Sequence, residues 1–105
     1  MTTSAGFRHV VMFKWSQSAS AAAVAGALQA LNEFAVAVAD LGTVSVGPDA
    51  GLSDGNFDVV VIADFADKDT YLAYAEDPRH IALLTDHIRP NLEQRVAVQY
   101  ERPAG

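Results

Sequence analysis

Hydrophobic and polar residues alternate along four segments of the chain, which is the pattern typical of β-strands. The two longest segments, residues 7–15 and 57–65, carry apolar side chains at both odd and even positions. Two shorter segments, residues 43–46 and 95–101, also have the residue pattern of strands. The first segment presents Phe7, His9, Val11, Phe13 and Trp15 on one face, and Val10 and Met12 on the other. The pattern therefore predicts four strands, of which two are apolar on both faces.

Two amphipathic helices are predicted between these strands. Residues 21–40 carry an apolar stripe at spacings of three and four, and Gly42 is a suitable end for that helix. Asp67 is the expected N-cap of a second helix. Pro78 must interrupt this second helix, because proline lacks an N–H group and disfavours helical geometry at the preceding Asp77. We expect Asp77 to cap a restarted helix with Pro78 at its first position.

The order strand–helix–strand–strand–helix–strand is that of the ferredoxin-like split βαβ fold. We therefore predict an α+β domain of βαββαβ order, in which two helices cover one face of a four-stranded antiparallel sheet. A chain of 105 residues is expected to form one domain. Its predicted limits are residues 7–101, between a flexible N-terminus at residues 1–6 and a C-terminal tail at residues 102–105.

The second face of this sheet predicts a partner. Two helices can cover only one face of the sheet, which leaves either Val10, Met12, Val60 and Ile62 or their opposite neighbours uncovered, since residues 102–105 are too few. Burying one such side chain is worth roughly 1.5–3 kcal/mol, and leaving all of them in water would create an adhesive apolar patch. An identical chain related by a two-fold axis is the simplest cover. We predict a homodimer formed through the sheet faces.

Charge and composition exclude several classes of function. Thirteen acidic and seven basic residues give a formal net charge of -6, which disfavours nucleic acid and anionic membranes as partners. The absence of cysteine excludes a disulfide framework, a thiolate zinc site and a cysteine nucleophile. No apolar run is long enough to span a membrane, and the N-terminal segment lacks the features of a secretory signal. We expect a soluble cytoplasmic protein.

The most informative pair of polar residues is Tyr74 and His80, six positions apart across the Pro78 break. A continuous helix would turn the two side chains apart, whereas a break at Pro78 can bring both to one cavity. An imidazole is a natural general base near neutral pH, and a phenol can donate a hydrogen bond to a developing enolate or alkoxide oxygen. The alternative is structural, with Tyr74 at the edge of the core and His80 in a helix start.

The other candidate residues point to packing and to the surface. His9 lies mid-strand among apolar neighbours, where a packed histidine is more common than a catalyst. His87 beside Asp86 fits a surface position near a helix C-terminus. The set Asp77, His80, Asp86 and His87 has no recognised metal-ligand spacing. Nucleotide-binding glycine loops and the zinc-helix motif are absent as well, so we predict neither a metal nor a cofactor.

Several segments together resemble one family. They are the opening His9-Val-Val-Met-Phe13-Lys14-Trp15, the glycine-ended Val44-Ser-Val-Gly47, the run from Phe57 to Phe65, the motif Tyr74-x-x-x-Pro78-x-His80 and the closing Val98-Gln-Tyr100. The chain resembles the stress-responsive A/B barrel family, also called the dimeric alpha–beta barrel (Dabb) family, over about residues 7–101. The resemblance implies a ferredoxin-like chain of which two copies pack their sheets into a barrel.

The resemblance also implies site residues. In a plant polyketide cyclase of this family, a tyrosine and a histidine match Tyr74 and His80, and a second histidine matches His9. There the histidine is the base of a cofactor-free aldol condensation, and the tyrosine orients the substrate oxygen. This implies that Tyr74 and His80 are catalytic and that His9, Tyr74 and His80 bind the ligand. The present sequence differs at Asp77, where the cyclase has histidine.

Three hypotheses for function follow. The first is a homodimer that binds a small apolar molecule near Tyr74 and His80, and within it His80 can be the general base of a cyclase-like or isomerase-like enzyme. The second is a non-catalytic, stress-associated structural protein whose interior is filled with side chains. The third is chemistry like that of the related cofactor-free monooxygenases, which no motif here favours. An accessible cavity beside His80 discriminates the first hypothesis from the second.

Overall fold

One antiparallel sheet of four strands forms the framework of the chain. The computed structural model describes residues 4–103, and residues 1–3 and 104–105 of the predicted termini lie outside it. The strands are β1 (Ser4–Trp15), β2 (Thr43–Pro48), β3 (Val59–Phe65) and β4 (Leu92–Pro103). The helices are α1 (Ala21–Ala37), α2 (Lys68–Glu76) and α3 (Pro78–Leu83), followed by a π-helical turn (Leu84–Ile88) and a 3-10 turn (Arg89–Asn91). The strand order β2–β3–β1–β4 is ferredoxin-like and confirms the predicted fold class.

The ends of several elements differ from the predicted ones. The outer strand β4 runs along almost the whole of β1, from Ser4 opposite Pro103 to Trp15 opposite Leu92, so both strands are longer than predicted. β3 begins two residues late, at Val59. α1 ends at Ala37 rather than at residue 40. The chain then passes Gly42, where a Cβ atom would collide with the main chain of Asp64 and the ring of Phe65.

The helices cover one face of the sheet and create the core there. The inward positions of β1 from Phe7 to Phe13 and those of β3 are buried, and the register places Val11 opposite Val61 and Phe13 opposite Val59. α1 covers them with Ala27, Leu31 and Phe34. The later helical segments add Tyr74, Leu83 and Ile88. The predicted division of β1 and β3 into two faces is thus observed, and the face that carries Phe7, Phe13 and Phe65 is the buried one.

Within residues 4–103 no helix lies on the opposite face, which is here named the uncovered face. The register aligns Met12 with Val60 and Val96, and Val10 with Ile62 and Val98, so these side chains form one apolar stripe across three strands. Met12 is 40% exposed and Val98 is 65% exposed. Of the two sets of residues left open by the sequence, Val10, Met12, Val60 and Ile62 are therefore the ones on the uncovered face.

Candidate functional site

The break between α2 and α3 brings a phenol and an imidazole together. α2 ends at Glu76, and the Asp77 carboxylate caps α3 by accepting a hydrogen bond of 2.8 Å from the main-chain N–H of Arg79. Pro78 occupies the first position of α3, a position that suits proline because of its fixed φ and its missing N–H. The Tyr74 and His80 rings then lie with their centroids 4.7 Å apart and their planes inclined by 39°.

Arg79 fixes this break against the end of α1. Its guanidinium donates to the Asp77 carboxylate at 2.9 Å, to the Asp40 carboxylate at 3.0 Å and to the Ala37 carbonyl at 2.5 Å. The hydrogen bonds from Arg79 lower the pKa of Asp77 to about 2, so the cap stays ionised at neutral pH. The position of His80, the next residue along the chain, is therefore tied to α1 through its neighbour.

A cavity of about 250 Å³ lies between the sheet and the helical layer. His9, Tyr74 and His80, the three residues predicted for the site, all line it. The remaining wall is mostly apolar and comes from every layer of the fold, including Val11, Phe13 and Val61 of the sheet and Leu31, Phe34 and Leu83 of the helices. Leu84 and Ile88 of the π-helical turn add to it, in keeping with the frequent use of such turns at functional sites.

His80 is held in the tautomer that suits a base. Its Nδ1 lies 3.1 Å from the carbonyl oxygen of Ala75, and because a carbonyl only accepts, Nδ1 must carry the hydrogen. The neutral ring therefore has its lone pair on Nε2. Burial is the main cause that lowers the pKa of His80 below its ordinary value, so the ring is neutral at pH 7. A neutral imidazole with a free Nε2 can accept a proton.

Tyr74 supplies the complementary donor. The residue is 3% exposed, and its ring packs against Phe34 and Phe65 with centroid distances of 5.6 and 4.8 Å. Burial raises the pKa of the phenol well above its ordinary value, so the hydroxyl keeps its proton. Within residues 4–103 this hydroxyl makes no hydrogen bond to the protein. It is free to donate one to a bound molecule.

His9 contributes a buried polar atom without a partner. The residue is 4% exposed, and its Nδ1 has no hydrogen-bond partner among the described residues. Its ring packs on Tyr71 at 5.1 Å. Burial, followed by the positive charge of Arg95 and by His80, lowers the pKa of His9 to about 4. His9 is thus a packed strand histidine, as expected, with one ring nitrogen that is enclosed and unsatisfied by the described residues.

Comparison with known proteins identifies the family to which this arrangement belongs. The model of the stress-responsive A/B barrel domain (Dabb) matches residues 7–102 of the chain. This chain belongs to the Dabb family. The resemblance drawn from the sequence is thereby confirmed over its whole predicted range, residues 7–101.

Solved structures similar to this Dabb domain share its fold. A dimeric ferredoxin-like protein of unknown function from Thermobifida fusca is 36% identical, with a TM-score of 0.82 over 91% of this chain and 90% of its own. A Dabb protein from Mesorhizobium loti is 21% identical, with a TM-score of 0.77 over 94% and 97% of the two chains. A hydroxynitrile lyase from Passiflora edulis is 16% identical, with a TM-score of 0.76 over 90% and 91%. Comparison of the sequence with curated proteins gives no match.

Three polar residues of the Dabb cavity were not predicted from the sequence. They are Tyr71, Arg89 and Arg95. The Tyr71 hydroxyl accepts a hydrogen bond of 2.9 Å from the Gln99 side chain, which joins α2 to β4. Arg95 lies opposite Phe13 in the register and so faces the helices. The alternation along residues 95–101 contained this signal, because Arg95 falls on the face opposite Val96.

The remaining predicted candidates lie elsewhere in the Dabb domain. His87 is exposed and does not line the cavity, as its surface interpretation requires. Across the described part of the chain, no three histidine, aspartate or glutamate side chains are grouped so that they could hold a metal ion. None of the helices formed by residues 4–103 is both long and apolar enough to cross a membrane.

Proposed function

We propose that this Dabb domain binds a small, largely apolar molecule in the cavity beside Tyr74 and His80. The observation that carries the proposal is the cavity itself, about 250 Å³ of space whose mostly apolar wall holds a few polar atoms. Ligand sites commonly combine these two features. A structural protein with a filled interior would have side chains in this space.

Blocking the cavity tests this proposal. Leu84 lines it and is half-buried, whereas Leu72 on α2 is 50% exposed and does not line it. The probe is the small apolar ketone 4-ethylacetophenone, and its binding is measured by ligand-detected NMR. We expect Leu84→Trp to abolish this binding and Leu72→Trp to leave it unchanged. Equal binding by both variants would refute the cavity as the site.

Within this function we propose acid–base chemistry on a carbonyl compound. His80 Nε2 takes a proton from the carbon next to the carbonyl, the C–H electron pair moves to form the enolate, and Tyr74 donates a hydrogen bond to its oxygen. The tautomer of His80 and the protonated state of Tyr74 both support these roles. The hydroxynitrile lyase with a similar fold supports the view that such a scaffold can carry catalysis. General acid–base catalysis of this kind typically contributes 10²–10⁴-fold in rate.

4-Ethylacetophenone has an acetyl methyl group next to its carbonyl. Exchange of these methyl protons for deuterium in D₂O, followed by NMR, measures the proton-transfer step directly. We expect the wild-type protein to accelerate the exchange, and His80→Gln to lower the protein-dependent rate by about 10² or more. Tyr74→Phe should lower it as well, because the enolate loses its donor. His87→Gln is the matched control and should keep the full rate. If His80→Gln retains the wild-type rate, His80 is not the base.

We also propose that the domain works as a homodimer formed through the uncovered face. The apolar stripe on that face supports this assembly, and the 36% identical relative is itself dimeric. Arg8 and Asp64 lie on the same face and form a bidentate ion pair with hydrogen bonds of 2.7 and 2.9 Å. Each charge therefore already has a partner within the chain when the face is covered. We expect Met12→Asp to give monomers in light scattering after gel filtration, and Leu72→Asp to remain dimeric. A dimeric Met12→Asp variant would refute this interface.

A further inference from the structure

The distribution of positive charge in this acidic chain is uneven. The chain has seven lysines and arginines against thirteen acidic residues. Arg8, Lys14 and Arg79 are each paired with a carboxylate. Arg89 and Arg95 make no such pair within residues 4–103. In a protein with excess carboxylates, two unpaired guanidinium groups are an unusual arrangement.

Both unpaired arginines line the same cavity. Arg89 comes from the 3-10 turn and Arg95 from the helix-facing side of β4, so two separate elements bring them there. Both residues are exposed, which places them at the rim rather than at the buried floor. After burial, which is the main cause, the charge of Arg95 lowers the pKa of both His9 and His80, and that of Arg89 acts on His80. The positive charge of the rim therefore reaches into the cavity.

We propose that the ligand of this cavity is an apolar molecule that carries one carboxylate, held at the rim by Arg89 and Arg95. This inference rests on the proposed cavity function and adds the chemical class of the ligand. A guanidinium presents N–H groups in a planar fork that matches a carboxylate, and such charge-assisted hydrogen bonds are stronger than neutral ones. The apolar wall takes the body of the molecule.

Two probes of nearly equal shape test the inference. They are 4-ethylbenzoate and its uncharged analogue 4-ethylbenzamide, whose dissociation constants are measured by calorimetry on the full chain. We expect the acid to bind at least about tenfold more tightly than the amide, since about 1.4 kcal/mol corresponds to a factor of ten. Raising the salt concentration should weaken the binding of the acid and leave the binding of the amide unchanged, because salt screens charges at a rim that is exposed to solvent.

Variants assign the preference to the two arginines. Arg89→Gln and Arg95→Gln should each bring the affinity for the acid towards that for the amide, whereas the affinity for the amide stays constant. Lys68→Gln is the matched control, because Lys68 is also an exposed cation but does not line the cavity. It should retain the wild-type preference.

The outcomes separate this inference from the proposed function. Equal affinities of the wild-type protein for acid and amide would overturn the carboxylate assignment and leave cavity binding intact. An acid preference that Lys68→Gln reduces as much as Arg95→Gln would also overturn it, because the effect would then come from overall charge. Failure of both probes to bind at millimolar concentration would overturn the proposed cavity function together with the inference.

Discussion

Replacing His9 should remove much of the loss of stability that this protein suffers in mild acid. In the folded chain the pKa of His9 is about 4, whereas an exposed histidine in the unfolded chain has its ordinary value of 6.5. Between these values the unfolded state binds a proton that the folded state does not. The free energy of unfolding is therefore unaffected above pH 6.5, falls as the pH decreases towards 4, and changes no further below it.

The size of this effect follows from the same two values. A separation of about 2.5 pKa units, at about 1.4 kcal/mol for each, corresponds to a loss of about 3 kcal/mol from this one residue. The pKa of His80 is lowered too, so it adds to the loss in the same direction. Carboxylates such as Asp64 and Asp77 act at lower pH, because their folded pKa values lie below 3.8. The window between pH 6.5 and 4 therefore reports mainly on histidine.

Guanidinium chloride unfolding at pH 7.0, 5.5 and 4.5, followed by the fluorescence of Trp15 at one protein concentration, measures this loss. We expect His9→Phe to lose about 2.4 kcal/mol less than the wild type between pH 7.0 and pH 4.5, because the lowest pH stops short of the folded pKa of His9. At pH 7 the variant should be no less stable, because it also removes the unpartnered Nδ1. His87→Gln, at an exposed histidine, should follow the wild type. If His9→Phe and the wild type lose stability equally, burial does not depress the pKa of His9 and the reasoning fails.

Three further substitutions test the packing around the site by denaturant unfolding and NMR. Leu31→Ala should cost about 2–5 kcal/mol, because Leu31 is 2% exposed in the core and its loss enlarges the cavity; a cost below 1 kcal/mol would contradict this packing. Gly42→Ala should destabilise the fold through its collision with Asp64, whereas Gly26→Ala, with open space around it in α1, should stabilise it by up to about 1 kcal/mol; equal effects would contradict the close approach at Gly42. Arg79→Met should shift the His80 ring signals and slow proton exchange while leaving the fold intact, and unchanged His80 signals would contradict its positioning role.

The fold was predictable because each element carries its own local signal. The alternation along β1 and β3 divided their residues between the two faces of the sheet, although it did not indicate which face the helices bury. The Asp77–Pro78 pair predicted both the break and the cap that bring Tyr74 beside His80. The ends of β1 and β4 were not predictable in this way. They depend on pairing with each other, from Ser4 opposite Pro103 onwards, which no local pattern records.

The presence of the cavity could not be predicted from the sequence. Empty space results from the volumes of side chains on several elements, and the π-helical turn after Leu83 that shapes one wall has no sequence signal that we identified. Arg89 and Arg95 lie close in sequence, yet one is in a turn and the other in an edge strand. Only the docking of β4 beside β1 brings both to the same rim.

The edge strand β4 takes part in two surfaces at once. Arg95 points to the cavity, and the next residue, Val96, lies opposite Met12 on the uncovered face. In the proposed dimer the same strand would hold the ligand on one side and the partner chain on the other. Any factor by which the ligand strengthens association is then also the factor by which association raises ligand affinity, because the linkage between two binding equilibria is reciprocal. The apparent dissociation constant of the ligand should accordingly depend on the concentration of the protein.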